Sequence, residues 1–267
     1  MRVAVFRPDD ERLAGAVDRL ESLGADPVAD PMLAVRPTGR TPQDADVVVL
    51  TSKTGVELAD GAGWDPGDAT VCAIGDATAD ALRDHGYRVD LVPDEFSSRG
   101  LVDALADRVD GVRVEVARSD HGSDLLTDGL ADAGADVHET VLYELVRPED
   151  AGESVDLAAA GDLDAALFTS SLTVEHFLDV AEERDVREAA VDGLADAVVG
   201  AIGDPTRDTA AGYGVQVDFV PDVASFDRLA RDAVDRLGEG GLGEDDGDAP
   251  AATRRREDDD SAVTDRE

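Results

Sequence analysis

Residues 71–94 read VCAIGDATADALRDHGYRVDLVPD, and residues 199–222 read VGAIGDPTRDTAAGYGVQVDFVPD. Gly75, Thr78, Gly86, Val89 and Pro93 recur as Gly203, Thr206, Gly214, Val217 and Pro221, at a constant shift of 128 (199 minus 71). A second pair precedes these: VVVLTSKTGVE from Val47 and AALFTSSLTVE from Ala165, shifted by 118 (165 minus 47). A third joins MRVAVFR from Met1 to VRVEVAR from Val112, and its downstream ends match as well, LGADPVADPMLAVRP with AGADVHETVLYELVRP, at shifts of 110 (134 minus 24) to 111 (112 minus 1). Three blocks repeated in one order describe two copies of one α/β unit. A period above 100 residues is a domain duplication, not a solenoid array.

Within each block a short apolar run alternates with a helical pattern. Residues 2–6, 47–50 and 71–74 read as buried strands. Leu13, Val17, Leu20 and Leu23 recur at helical spacing, and Gly24 is a helix stop. Helices are expected over 77–85 and 98–109. The second copy repeats the pattern, with strands over 112–117, 165–168 and 198–202 and helices over 125–133, 173–183, 206–211 and 225–237. This alternation predicts parallel sheets covered on both faces. From residue 238 the sequence turns to GEGGLGEDDGDAPAATRRREDDDSAVTDRE, charged and poor in apolar residues, and reads as a disordered acidic tail (238–267).

The 267 residues are 42 % hydrophobic but only 4 % aromatic, so Val, Ala and Leu must fill the cores. The single cysteine, Cys72, sits in an apolar run and suits a core position in a reducing compartment. No apolar run approaches the roughly 18 residues of a membrane span, and no signal peptide is readable; a cytoplasmic protein is expected. The formal charge is −38, and Lys53 is the only lysine. Such a surface suits a halophilic cytoplasm, where salt shortens electrostatic repulsion to about 3 Å at 1 M. It disfavours nucleic acid, for which no basic face remains. An anionic ligand would need local, oriented donors.

Those donors are where the strands end. Thr51 and Ser52 close one strand, and Thr169, Ser170 and Ser171 close its counterpart. Gly75 and Thr78, like Gly203 and Thr206, lie in strand-to-helix turns; Arg118 and Ser119 close VRVEVA as Arg7 and Pro8 close MRVAVF. In an open α/β sheet these ends emerge along one edge, where ligands bind. Glycine permits close backbone approach, and N–H groups at helix starts favour anions. Ser, Thr and Asp before a helix are equally ordinary caps. His85, His121, His138 and His176 lack metal-ligand spacing, and the chain has no Gly-x-Ser-x-Gly elbow, Gly-x-Gly-x-x-Gly fingerprint or Walker loop. Tyr143, one of three tyrosines, lies in the apolar run VLYELVRP, as a packing residue or a functional one.

Taken together, VAVFRP, the TS after VVVL, AIG-x-x-T with Gly-x-x-V-x-x-V-P, VEVARS, TVLYELV, FTSS and the second AIG-x-x-T resemble the uroporphyrinogen-III synthase family over about residues 1–235. Asp76 and Asp204 depart from the family's turn, which often has proline or a small residue there, and Arg207 stands where the first copy has Ala79. The resemblance implies two similar flavodoxin-like domains joined by a two-stranded linker. One would combine 1–35 with 147–237, the other would span 36–146; a plain tandem arrangement would divide near Gly111 instead. It implies cyclisation of hydroxymethylbilane, a linear tetrapyrrole, to uroporphyrinogen III with loss of water and inversion of ring D, through an azafulvene and a spiro-pyrrolenine. Tyr143 would assist departure of the hydroxyl. Thr51, Ser52, Gly75, Thr78, Arg118, Ser119, Ser170, Ser171, Gly203 and Thr206 would bind substrate, with no metal and no cofactor. A monomer is expected, with transient contact to the enzyme that supplies the substrate.

A second class, a two-lobed protein that clamps a small anionic ligand without chemistry, shares the duplicated architecture; the ordered motifs and the unread signal peptide weigh against it. The charge generates a prediction for either class. Thermal melting should fall steeply between molar and millimolar KCl, because like charges repel less when screened. Equal melting temperatures would make the acidity a tolerated surface property.

Overall fold

In the computed structural model, which describes residues 1–8 and 10–240, the strands sort into two sheets. Sheet one is built from β1 (Arg2–Phe6), β2 (Asp26–Ala29), β8 (Ala165–Phe168) and β9 (Val198–Ala201), all parallel, in the order β2-β1-β8-β9. Sheet two is built from β3 (Ala34–Pro37), β4 (Val47–Leu50), β5 (Thr70–Ala73), β6 (Arg113–Ser119) and β7 (Asp136–Val146), in the order β3-β7-β6-β4-β5. Parallel bridges Gly200↔Phe219 and Cys72↔Leu91 add a further position beyond β9 and β5. Sheet one therefore runs in the flavodoxin-like order 2-1-3-4-5; apart from β3, sheet two has the same order when its strands are numbered by repeat block, with β6 as the counterpart of β1, and is circularly permuted, 5-4-1-2-3, in chain order. In this arrangement the direction reverses beside the first-block strand, β1 or β6.

Side chains alternate across each strand and so feed two cores. Val3, Val5, Ala165 and Leu167 pack on one face of sheet one against α1 (Glu11–Ser22) and α10 (Phe226–Gly240). Ala4, Phe6, Ala166 and Phe168 face α6 (Glu153–Ala159), α7 (Ser171–Glu183), α8 (Arg187–Ala195) and α9 (Asp204–Gly212). Here Phe6 stacks on Phe168 with centroids 4.6 Å apart, and Phe177 meets both edge-on at 5.6 and 5.8 Å. In sheet two, Val48, Leu50, Val71 and Ala73 meet α2 (Lys53–Gly61) and α3 (Asp76–Asp84). Val47, Val49, Val114 and Val116 meet α4 (Ser98–Leu105) and α5 (Asp124–Asp132). Full burial of each large apolar side chain contributes about 1.5–3 kcal/mol, so both sheets are held from two sides. Cys72 is buried in the second of these cores, and burial pushes its thiol up to about 12, where it is inert.

The chain passes between the sheets twice, and the crossings pair with each other. β3 runs antiparallel to the end of β7, with Ala34 opposite Val146 and Pro37 opposite Tyr143. β7 thus has two jobs: residues 136–141 pair in parallel with β6, and residues 143–146 pair with β3. Between the two lies an irregularity, where Arg118 is opposite Val141 but Ser119 is opposite Tyr143, a bulge that re-aims the strand. The return into sheet one is fastened by Asp30, 2 % exposed, whose carboxylate accepts from the backbone N–H of Gly152 and of Ser154, both at 2.9 Å, and from the Ser154 hydroxyl. Gly152 holds φ at 119°, a conformation that favours glycine.

Three helices, α2, α6 and α8, go beyond the sequence reading. α6 spans 7 residues, too few for a clear period, and α8 buries only Ala190 and Leu194. The helix expected over 98–109 is α4 followed by a 3-10 turn over Ala106–Arg108. α10 continues through Gly240, so residues 238–240, expected in the tail, are helical. Residues 241–267 lie outside the described residues.

Asp30→Ala would leave two buried N–H groups and a hydroxyl without their acceptor. Hydrogen bonds to a charged group are worth about 1.5–3 kcal/mol each, so a loss on the order of 3 kcal/mol is expected, lowering Tm by roughly 6–12 °C for a chain of this size. A thermal melt within 2 °C of the parent would show that the crossing is held by packing alone.

Candidate functional site

Because all strands but β3 run parallel, their C-terminal ends lie along one edge of each sheet. Four of these ends lead directly into helices: β4 into α2 through Ser52, β5 into α3 through Gly75, β8 into α7 through Ser170 and β9 into α9 through Gly203. Ser52 Oγ accepts from the N–H of Gly55 at 3.0 Å, and Ser170 Oγ from that of Thr173 at 3.3 Å. Gly75 and Gly203 cap without a side chain, which leaves first-turn N–H groups of α3 and α9 without a capping acceptor, although in α9 Pro205 has no N–H to supply. The two glycines differ in surroundings. A Cβ on Gly75 would lie 3.1 Å from Phe96 Cβ and Cγ, whereas at Gly203 the nearest atom would be 3.8 Å away. Thr78 and Thr206, one turn further along, are each 4 % exposed.

On sheet two the reversal point falls between β6 and β4, and four of the expected residues meet there. Thr51 N–H donates to Ala117 O at 3.3 Å, and Ser119 lies opposite Tyr143. The Tyr143 ring is buried among Val56, Leu142 and Leu50, while its hydroxyl donates to Ser52 Oγ at 3.0 Å. Packing and function are therefore not alternatives for Tyr143: the core fixes the ring, and the hydroxyl is carried to the helix start. Ser52 accepts from both Tyr143 and Gly55, so its own proton is available to a further acceptor.

Arg118 stands apart from the other expected residues. Its side chain is buried, Nη1 donates to Ser123 O at 2.7 Å, and Nη2 to Glu139 at 2.7 Å and Asp124 at 3.3 Å. Burial would lower its pKa, but the hydrogen bonds and charges of Glu139 and Asp124 hold it above the ordinary value. Gly122 lies against this side chain, where any Cβ would collide with Arg118 Cδ. Ser171 is also occupied: its hydroxyl donates to Pro205 O at 3.2 Å and accepts from Thr209 at 2.8 Å, which ties α7 to α9.

On sheet one the reversal point, between β1 and β8, opens into a cavity of about 390 Å³ lined by Arg7, Arg12, Thr169, Ser170, Ser225 and Phe226, among others. The Thr169 hydroxyl donates to Phe6 O at 2.5 Å, joining the two strand ends. Arg7 lies over the Phe226 ring at 5.1 Å, a cation–π distance. Arg12 pairs with Asp10, with Nε donating at 2.9 Å. That hydrogen bond is the chief cause of its raised pKa, against the opposing pull of burial, and Glu57 and Tyr143 add to it from the side of sheet two. Sequence reasoning noted Arg7 only as a strand end and did not single out Arg12. The legible signal was Arg7's match to Arg118; nothing in the sequence brought Phe226 beside it.

Among the described residues no cluster of His, Cys, Asp and Glu could hold a metal ion, and no helix is long and apolar enough to cross a membrane. The strand-end hydroxyls, helix N–H groups and guanidinium groups instead suit a polycarboxylate. For Arg118→Met, loss of charged hydrogen bonds worth about 1.5–3 kcal/mol each should lower Tm by roughly 5–10 °C. An unchanged melt would free Arg118 for a ligand.

Comparison with known proteins agrees with this geometry. The family model described as "Uroporphyrinogen-III synthase HemD" matches residues 15–231. A Methanothermobacter thermautotrophicus protein named "Putative uroporphyrinogen-III synthase" is 34 % identical over 230 residues, covering 80 % of this chain and 90 % of its own. A Synechococcus elongatus uroporphyrinogen-III synthase is 30 % identical over 142 residues, 50 % of this chain and 54 % of its own. In fold, a mutant uroporphyrinogen III synthase from Thermus thermophilus superposes with a TM-score of 0.66 at 20 % identity, over 90 % of this chain and 99 % of that one. The Helicobacter pylori uroporphyrinogen-III synthetase gives 0.55 at 16 % identity, over 90 % and 99 %. The duplicated blocks, the two sheets in one strand order and the match along most of the length have one reading: the chain belongs to the uroporphyrinogen-III synthase family.

Proposed function

We propose that this chain cyclises hydroxymethylbilane to uroporphyrinogen III, losing water and inverting ring D, with its substrate held between two units, 1–35 plus 147–237 and 36–146. The observation that carries the reading to particular residues is the Tyr143 hydroxyl, 3.0 Å from Ser52 at the β6/β4 reversal point. Tyr143 would pass its proton to the departing hydroxyl, which leaves as water while the adjoining pyrrole nitrogen supplies the electron pair that forms the azafulvene. Ser52, with its own proton free to donate, would hold the tyrosine oxygen by a hydrogen bond, and the proton lost from the pyrrole N–H as the azafulvene forms would restore the tyrosine hydroxyl.

The harder task is orientation. The cyclising carbon must be attacked by the substituted position of ring D instead of its free position, and holding one geometry against the other is what a closed, rigid site supplies. Thr51, Ser52, Gly75 and Thr78 on one side, and Ser170, Gly203 and Thr206 on the other, would meet the carboxylates through hydroxyls and helix N–H groups. Ser119 would line the same edge, while Arg118 and Ser171 would support it through neighbours. Neither metal nor organic cofactor is required by this chemistry. The chain would work as a monomer in the cytoplasm of a halophile, receiving a labile substrate from the enzyme that makes it.

Purified chain in molar KCl, given enzymatically generated hydroxymethylbilane, should release the type III isomer. Folded protein that yields the type I isomer alone would refute the reading. Tyr143→Phe keeps the ring and its packing, so the melt should hold while type III turnover drops about 10²–10⁴-fold, the usual worth of general-acid help. Turnover within twofold of the parent would confine Tyr143 to packing.

A further inference from the structure

Arg7 and Arg118 occupy the same repeat position, one just after β1 and the other near the end of β6, yet their charged neighbours differ: Arg12 and Asp10 beside Arg7, Glu139 and Asp124 beside Arg118. The repeat places Ala29 where the second copy has Glu139: Val5 pairs with Ala29, as Val116 pairs with Glu139. Sheet one therefore lacks the carboxylate that neutralises Arg118. Among the described residues the Nε of Arg7 and that of Arg118 are both buried without a hydrogen-bond partner; the difference is at the Nη atoms, which in Arg118 donate to Ser123, Asp124 and Glu139. A buried guanidinium without such acceptors costs stability unless a ligand completes it. Burial, then the charge of Arg12, pulls the Arg7 pKa below its ordinary value, and Asp10 opposes this only in part. Arg118 shifts the other way.

The space beside Arg7 suits a ligand group. The cavity of about 390 Å³ is in the range of small-molecule sites. Phe226 supports the guanidinium plane from one side, and Ser170 and Ser225 add hydroxyls at its rim. Arg7 and Arg12 against Asp10 leave one net positive charge among the described residues here, in a chain of formal charge −38.

We propose that Arg7, with Arg12 beside it, is the carboxylate anchor of the substrate, and that the duplicated arginine has split its work: Arg118 holds sheet two together, and Arg7 holds the ligand. The reading rests on the proposed synthase function for the identity of the ligand, a polycarboxylate tetrapyrrole, but not for the charge asymmetry. Arg7 makes no bond in the reaction. It fixes one carboxylate arm equally in the ground state and the transition state, so its contribution falls on KM and not on kcat.

The test compares Arg7→Gln, Arg7→Lys and Arg113→Gln, the last removing the same charge from the opposite end of β6. Two readouts are taken: steady-state kinetics with hydroxymethylbilane, and equilibrium binding of uroporphyrin III, an octacarboxylate, by fluorescence quenching. For Arg7→Gln, KM and the uroporphyrin Kd should both rise about tenfold or more, the worth of a charged hydrogen bond. The kcat should stay within twofold and the melt within 2 °C. Arg7→Lys, which keeps the charge but loses the fork, should fall between parent and Arg7→Gln; Arg113→Gln should match the parent. Unchanged KM and Kd in folded Arg7→Gln overturn the proposal, as does a loss confined to kcat. If Arg7→Gln does not fold, Arg7→Lys with parental KM and Kd overturns it equally. A parent that binds uroporphyrin through Arg7 but makes no type III isomer would leave the anchor standing and refute the synthase reading. A parent that neither binds nor turns over refutes both.

Discussion

The pairing of β1 with β8 is the constraint on which the rest of the molecule depends. Val3 to Phe6 lie beside Ala165 to Phe168 in parallel register, although all of sheet two intervenes in the chain. Closing so long a loop costs entropy that grows only slowly with length, and the return is concentrated at the strand ends. Phe6, Phe168 and Phe177 pack together there, Thr169 bonds back to Phe6, and Asp30 clasps the re-entering chain at Gly152 and Ser154. With sheet one made from both ends of the described chain, sheet two becomes its insertion, and the two crossings must run side by side. Their pairing as β3 and β7 follows from that route.

The same constraint sets the chemistry. A 2-1-3-4-5 parallel sheet reverses direction beside its first strand, and there the loops diverge and leave a crevice. Duplication makes two such crevices, one framed by Thr51, Ser52 and Tyr143, the other by Arg7, Thr169 and Ser170. Tyr143 belongs to the first because of the bulge that carries β7 from β6 to β3; without it the strand's alternation would turn that side chain to the other face. For a chain of formal charge −38, recognition of a polycarboxylate cannot rest on the overall field, which repels it. It must rest on oriented dipoles at helix starts and on cations brought close and partly dried, whose effect survives high salt because it acts at hydrogen-bond distance.

Much of this was legible in the residues, for a definite reason. Repeats such as AIGDATADAL and AIGDPTRDTA keep strand, turn and helix in one reading frame, so element order, parallel sheets and the strand-end hydroxyls followed directly. The helices that escaped notice, α2, α6 and α8, have only seven to nine residues and bury few side chains, and periodicity has little to act on there. Side-chain partnership was the greater gap. Arg118 and Arg7 look equivalent as text; only the strand register reveals that Glu139 neutralises one while Ala29 leaves the other exposed to its own charge. Ser171, adjacent to a true cap in Ser170, is spent on Thr209 and Pro205, contacts made across more than thirty residues that no local pattern encodes.

The central claim is that one ligand is held by both reversal points together. Hydrogen–deuterium exchange with and without uroporphyrinogen III, under anaerobic conditions in molar KCl, addresses it directly. The account predicts slowed exchange on adding ligand at both sets of helix starts: residues 52–56 and 75–79 on sheet two, and 170–174 and 203–207 on sheet one. Protection confined to one set, or spread evenly without regard to the strand ends, would contradict it.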